Sequence, residues 1–138
     1  MNDFNGTSGA SAVKFDPHSP SGWSNLGAAL LSQSRDAEAI GCFEKSLELD
    51  PRFGVAWGIK GNSFVGLCRY DDAISYHDKA LELDKSYVRA WYDKARVEDQ
   101  LGHSTEAAAS YREFLALATG QEYAKEVECA SKRLLAES

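Results

Sequence analysis

The sequence predicts an all-α protein built by stacking helix-turn-helix units, and three observations support this fold class. The three tryptophans of the chain, Trp23, Trp57 and Trp91, stand 34 residues apart. A fixed period of this length is typical of stacked-repeat architectures, in which each unit packs mainly on its neighbours. Alternating β-branched runs and hairpin turns, which would indicate strands, do not occur in the sequence. The 138 residues are 43% apolar and 26% charged, which is typical of globular domains and excludes an acidic disordered tail.

Small residues and large rings follow the same 34-residue spacing. The first helix of each unit has a small residue at one position: Gly27, Gly61 and Ala95. The second helix has an alanine at one position, Ala39, Ala73 and Ala107, and a ring four residues later, Phe43, His77 and Tyr111. Glycine inside a helix costs about 1 kcal/mol relative to alanine, so its recurrence indicates a close approach of two helices. We expect the rings and the tryptophans to fill the space between units.

Each unit is predicted to contain two helices joined by a short turn. In the second unit we expect helices over about residues 55–67 and 72–83, with Asp71 as the N-cap of the second. In the third unit Gly102 is expected to end the first helix and Ser104 to cap the next one. The Asp50-Pro51 pair ends the first unit, because a residue before proline avoids the α region.

The two ends of the chain carry separate signals. Tyr123, Val127, Ala130 and Leu134 share one face of a helix predicted over residues 121–137, and such a helix covers the apolar face of a last repeat. At the other end, residues 12–17 align with residues 46–51, as the remnant of a preceding repeat would. Residues 1–11 are rich in Asn, Gly and Ser and are expected to be flexible. The N-terminal face of the first unit is therefore expected to lack a cap.

These positions resemble a known family. The series Trp23-x2-Leu26-Gly27-x2-Leu30, Ala39-x3-Phe43 and Pro51 closely resembles the tetratricopeptide repeat. The resemblance implies a right-handed superhelical α-solenoid. It divides the chain into a lead-in at 1–16, repeats at 17–50, 51–84 and 85–118, and a C-terminal capping helix at 119–138. The sequence departs from the family pattern where Glu98 replaces a large apolar residue, where Lys60 and Lys94 replace leucine, and where Lys85 and Thr119 replace the closing proline.

Charge and composition restrict the partners. The net charge of −6 repels phosphate backbones and argues against nucleic acid. No apolar run reaches the length of a membrane span, and the first residues lack the pattern of a secretion signal, so we expect no membrane association. Three widely spaced cysteines suit reduced thiols. These observations together predict a cytoplasmic protein.

Catalytic and metal-binding patterns are missing from the sequence. His18, His77 and His103 are far apart, and no paired cysteine motif provides zinc ligands. His77 occupies the ring position of the repeat, so a packed neutral imidazole is the expected state. We therefore predict no enzyme, no cofactor and no metal site.

The resemblance implies that the first helices of successive repeats line a concave groove. Carried over by register, the candidate partner-binding residues are Asn25, Ala28, Leu31, Ile59, Asn62, Val65, Arg89, Tyr92, Asp93 and Arg96. Such a groove is apolar at one end and charged at the other. Asn25 and Asn62 can bond a peptide backbone, and Arg89 and Arg96 can pair with a carboxylate. The alternative is that Arg89, Asp93 and Arg96 pair with one another along the helix.

Chaperone-binding members of this family hold a C-terminal carboxylate with a clamp of Lys, Asn and Arg residues. Here the corresponding positions hold Ser24, Ala28, Ile59, Arg89 and Asp93, so only Arg89 fits and binding of an acidic chaperone tail is not expected. The leading hypothesis is a protein–protein interaction scaffold that binds a peptide segment or a helix of a partner protein. The alternative is a self-assembly module, a homo-oligomer formed through the uncapped N-terminal face.

Overall fold

A computed structural model describes residues 15–137 and confirms the all-α class. Within that range it contains seven helices and no strand: α1 (Pro20–Ser32), α2 (Asp36–Leu49), α3 (Gly54–Gly66), α4 (Tyr70–Leu83), α5 (Val88–Gln100), α6 (Ser104–Leu117) and α7 (Ala124–Glu137). None of these helices is long and apolar enough to cross a bilayer. Each helix packs on the next, and α3 also touches α1 and α5. The core is accordingly a row of clusters along a solenoid.

The 34-residue spacing of the tryptophans corresponds to one contact repeated three times. The indole N–H groups of Trp23, Trp57 and Trp91 donate to the carbonyl oxygens of residues 17, 51 and 85, each at 2.9 Å. A side-chain turn precedes each tryptophan, because the carboxylates of residues 16, 50 and 84 accept the backbone N–H two residues later. Each predicted unit holds one helix pair, and the exact unit boundaries stay predictions.

The small residues of the first helices face the rings of the second helices. A β-carbon placed on Gly27 would lie 2.7 Å from the Phe43 ring, and one placed on Gly61 would lie 2.9 Å from the His77 ring. Both distances are too short for a side chain, so only glycine allows this approach. The interpretation of these glycines as close-contact positions is confirmed.

Two predicted helix caps are wrong. The helix containing Asp71 starts at Tyr70, and the one containing Ser104 starts at Ser104 itself, so neither residue is an N-cap. The flanking Arg69 and His103 make no side-chain cap bond. The backbone bonds at these turns cap the C-terminal ends of the preceding helices α1, α3 and α5: residues 35, 69 and 103 donate to the carbonyl oxygens of residues 30, 64 and 98. Acidic side chains in the first turns still favour the helix dipole.

The C-terminal helix begins three residues later than predicted. Gly120 has a φ of +87°, and the chain turns there before α7 starts at Ala124. Tyr123, Val127, Ala130 and Leu134 pack together on α5 and α6, as their spacing predicts. At the other end, Phe15 meets Trp23 edge to face with ring centroids 4.8 Å apart. The predicted flexible segment at 1–11 lies outside the described residues.

The structure accommodates polar side chains at apolar or ring positions of the repeat in different ways. The Lys60 ammonium lies 4.5 Å from the Tyr76 ring centroid and 3.8 Å from a Glu44 oxygen. Glu98 is 5% exposed and accepts a hydrogen bond from the Ser110 hydroxyl. His77 has no such compensation, because both imidazole nitrogens are buried without a hydrogen bond. An unsatisfied buried polar atom lowers stability.

Replacing the His77 ring by a phenyl ring is expected to stabilise the protein. His77→Phe removes two unsatisfied nitrogens, and Phe43 shows that a phenyl ring fits the equivalent position against a glycine. We expect the free energy of unfolding, measured by urea denaturation, to rise by about 1–3 kcal/mol. The reverse change, Phe43→His, serves as the matched control and should lower it. An unchanged urea midpoint in His77→Phe would contradict this reasoning.

His77 also gives the stability a pH dependence of defined sign. Burial lowers the pKa of His77 in the folded protein, with Asp93 and Asp78 opposing the shift. In the unfolded chain the pKa of a histidine is about 6.5, so the unfolded state takes up the proton first as the pH falls. Stability is therefore lost as the pH drops below about 6.5. Because all other groups are shared, the difference between the curves of the original chain and His77→Phe isolates this effect.

The turns between paired helices allow a second stability test. Ser34, Cys68 and Gly102 occupy equivalent positions with φ of +61°, +60° and +80°. The left-handed conformation costs a non-glycine residue about 1–2 kcal/mol. Ser34→Gly should therefore raise the free energy of unfolding by about 1 kcal/mol, and the reciprocal change Gly102→Ser should lower it by a similar amount. Urea midpoints that move in the same direction in both variants would contradict the prediction.

Candidate functional site

A pocket between α3 and α5 brings together four of the predicted partner-binding residues. It has a volume of about 200 Å³. Its lining consists of Asn62, Val65, Tyr70, Asp93, Arg96, Val97 and Gln100. We call it the α3–α5 pocket. Because α3 and α5 are the first helices of successive pairs, it lies where the family resemblance implies a groove.

One side of the pocket is held by a chain of polar contacts. The Asn62 amide N–H donates to a carboxylate oxygen of Asp93 at 3.1 Å. The other oxygen of Asp93 lies 3.2 Å from the Arg89 guanidinium, one turn earlier on α5. Asp93 is only 9% exposed, so these two contacts neutralise and orient a carboxylate that is largely out of water. The Asn62 side chain is thereby fixed, and its carbonyl oxygen stays available.

Arg96 supplies the cationic group of the pocket. Its guanidinium lies 5.8 Å from the Tyr92 ring centroid, a distance at which a cation is attracted to an aromatic face. Within residues 15–137 no carboxylate forms an ion pair with it. The predicted pairing along the helix therefore holds for Arg89 and Asp93 but does not extend to Arg96. Arg96 is exposed and lines the pocket.

Helix α7 occupies part of the predicted groove face of α5. Arg89 forms an ion pair with Glu126 at 2.8 Å. The pKa of the Glu126 carboxyl is lowered, first by a hydrogen bond from its own backbone N–H and then by the hydrogen bond from Arg89. The Arg133 guanidinium donates to both carboxylate oxygens of Asp99, with nitrogen–oxygen distances of 2.7–2.9 Å. Arg89 is thus engaged on two sides, and the charged end of the groove begins at Arg96.

The remaining predicted residues are spread along the stack. Asn25 is exposed on α1 and Ala28 is half-buried. Leu31 and Ile59 are half-buried and pack against the cluster around Phe43. Tyr92 is 7% exposed and packs on Phe114, with ring centroids 5.0 Å apart. Burial is the first cause of the raised pKa of its hydroxyl.

Sequence reasoning missed Tyr70, Val97 and Gln100 as pocket residues. Gln100 lies one turn beyond Arg96, so extending the groove register by four residues would have found it. Val97 lies next to Arg96 and borders the pocket beside Gln100. Tyr70 comes from the start of a second helix, and the register of first helices contains no signal for it.

Few side chains in the described part of the chain are placed for catalysis or metal binding. Between residues 15 and 137, no group of three or more His, Cys, Asp or Glu side chains is placed to hold a metal ion. His77 is fully enclosed, so its free nitrogens cannot reach a substrate. The arrangement in the α3–α5 pocket is suited to hydrogen bonding and charge pairing.

Sequence comparison identifies the repeat. Two sequence models of the tetratricopeptide repeat match the chain, one over residues 20–53 and the other over residues 60–122. Together they cover more than two thirds of it. No curated protein sequence matches the chain.

Solved structures agree with this assignment. The Arabidopsis OM64 TPR domain has a TM-score of 0.78 at 21% identity, over 88% of this chain and 98% of that one. The first TPR of Spaghetti (RPAP3) bound to the HSP90 peptide SRMEEVD has a TM-score of 0.75 at 24% identity, over 87% of this chain and 98% of that one. The first TPR domain of human RPAP3, solved by NMR, has a TM-score of 0.75 at 24% identity, over 88% of this chain and 97% of that one. These likenesses concern the fold. With the matching sequence models, they show that the chain belongs to the tetratricopeptide repeat family, whose repeats are generally non-catalytic protein-interaction modules.

Proposed function

We propose that the protein is a non-enzymatic scaffold that binds an extended segment or a helix of a partner protein along α1, α3 and α5. The observation that carries this proposal is the α3–α5 pocket. It combines a fixed amide at Asn62, the Arg96 guanidinium, which has no ion-pair partner among the described residues, and the apolar side chains of Val65 and Val97. The partner is a protein or peptide, and binding needs no cofactor.

The pocket offers the groups that a peptide backbone needs. The carbonyl oxygen of Asn62 can accept a backbone N–H, and the amide of Gln100 can both donate and accept. Arg96 can bind a backbone carbonyl or an acidic side chain of the partner, because its guanidinium presents several N–H donors in a plane. Asp93 opposes highly acidic ligands, because Arg89 shares its single charge between Asp93 and Glu126. We infer a partner segment of mixed polarity.

The contacts around the clamp positions argue against an acidic chaperone tail. Ser24 is 3% exposed, and Ala28 and Ile59 lack polar side-chain atoms. Arg89 fits the clamp by type, yet Asp93 and Glu126 already hold it. The Spaghetti domain binds the peptide SRMEEVD, whereas the corresponding clamp positions of this chain offer no cationic or amide donor that is free for such a ligand.

The proposal is tested by capture of partners from a native lysate with matched variants. We expect the double variant Asn62→Ala/Arg96→Ala to capture its specific partners at least about tenfold less than the original chain, because it loses a charge-assisted and a neutral hydrogen-bonding group. Quantitative mass spectrometry measures the captured proteins, and circular dichroism checks that helicity is retained.

Two controls make the capture experiment decisive. Arg112→Ala removes an exposed cation from α6 outside the pocket and should leave capture unchanged. A labelled SRMEEVD peptide should give no saturable change in fluorescence anisotropy. Capture that is equal in the double variant and the original chain would refute the pocket as the binding site.

Self-assembly is the second candidate, and exposed apolar residues near the N-terminal face favour it. Phe15 is 47% exposed and Leu26 on α1 is 40% exposed, so a second copy would bury apolar surface there. Light scattering over a concentration series measures the mass of the particle. If this face associates, the mass should rise with concentration and Leu26→Lys should abolish the rise. A constant monomer mass would exclude this function.

A further inference from the structure

A second surface of charged and aromatic groups lies on α4, α5 and α6. Two adjoining hollows, of about 460 and 290 Å³, share Trp91, Lys94 and Glu113 in their walls. We call them together the Trp91 pocket. In a helix with 3.6 residues per turn, positions 91, 94 and 98 point away from positions 93, 96 and 100. The Trp91 pocket and the α3–α5 pocket therefore lie on different faces of α5.

Negative charge dominates the walls of the Trp91 pocket. Its titratable side chains are Asp78, Glu82, Glu98, Glu106, Glu113, Lys85 and Lys94. Lys94 pairs with Asp78 at 2.6 Å, and Glu82 pairs with Lys79 at 3.1 Å. The other three carboxylates, on α5 and α6, have no ion-pair partner in the part of the chain that the structure describes. The pocket thus has more carboxylates than cations to balance them.

Glu98 is the unusual member of this group. It is 95% buried, with a relative exposure of 5%, and it lines the smaller hollow. The Ser110 hydroxyl donates to its Oε1 at 2.6 Å, whereas its Oε2 has no donor in the described range. Burial raises the pKa of Glu98, and the hydrogen bond from Ser110 and the charge of Lys94 only oppose that shift. The Oε2 atom is not among the enclosed atoms that lack a partner, so it opens onto the hollow, where a ligand cation can reach it.

Trp91 provides an aromatic surface next to this carboxylate. Its indole N–H donates to the carbonyl oxygen of Lys85 at 2.9 Å, which fixes the orientation of the ring. The Lys94 ammonium lies 5.6 Å from the ring centroid, so the ring already attracts one cation. Trp91 is partly exposed and belongs to both hollows.

We propose that the Trp91 pocket binds an arginine side chain of a partner protein, with the guanidinium stacked on Trp91 and donating hydrogen bonds to Glu98 and Glu113. Charge complementarity selects a basic ligand. Arginine fits better than lysine, because its planar guanidinium both stacks on a ring and donates two parallel bonds to a carboxylate. This site is separate from the groove of the proposed function and does not depend on it.

The proposal is tested by NMR titration with the capped tripeptide acetyl-Gly-Arg-Gly-amide. The three tryptophans give three indole N–H signals, and a Trp91→Phe variant assigns the one from the pocket. We expect saturable shifts of the Trp91 signal, with the signals of Trp23 and Trp57 unchanged. The same tripeptide with citrulline, a neutral isostere of arginine, should produce no shift.

Charge-neutralising variants identify the carboxylates that bind. Glu98→Gln and Glu113→Gln should each weaken tripeptide binding, by about tenfold for the buried residue and less for the exposed one. Glu48→Gln removes one exposed charge from α2 and should change nothing. If Glu98→Gln fails to fold, Glu113→Gln decides alone. Equal shifts of all three indole signals, or equal weakening by Glu48→Gln, would overturn the proposal in favour of a diffuse attraction to an acidic protein.

Discussion

The close approach of two helices within each pair is the constraint on which the rest of the structure depends. A small residue on the first helix lets the ring of the second helix lie against its backbone, as Phe43 does at Gly27. Each ring then fills the space next to the following helix pair. The hydrogen bond from the tryptophan indole to the preceding turn fixes the orientation of that pair in the solenoid. The spacing of α3 and α5, and hence the pocket between them, follows from this packing.

Stacking leaves α5 in contact with helices on either side and still exposes two of its faces. One face carries Asp93 and Arg96 towards α3, and the other carries Trp91 and Glu98 towards α6. The two faces differ in electrostatics, because in the part of the chain that the structure describes Arg96 has no ion-pair partner, whereas Glu98 accepts a hydrogen bond at only one carboxylate oxygen. A single helix therefore presents two surfaces with different electrostatics, which a chain of net charge −6 does not suggest.

The sequence predicted the helices well because their signals are local and periodic. The tryptophan register predicted every helix pair, and the groove register placed Asn62, Val65, Asp93 and Arg96 at one pocket. It failed where contacts join distant parts of the chain, as when α7 engages Arg89, since no periodicity encodes such pairs. The cap predictions failed for a different reason. The helices begin at Tyr70 and Ser104, so the residues expected to precede them already lie in their first turns.

The polar residues at apolar positions of the repeat have different consequences, which depend on whether a ligand can reach the buried polar atoms. His77 and Glu98 are both withdrawn from water, yet His77 is enclosed on all sides whereas Glu98 borders a hollow. No ligand can reach the imidazole, so its unsatisfied nitrogens can only lower stability. A cation can reach the carboxylate, so binding would recover the stability that its burial costs. The same kind of departure from the repeat pattern thus weakens the core at one position and supplies a candidate recognition group at the other.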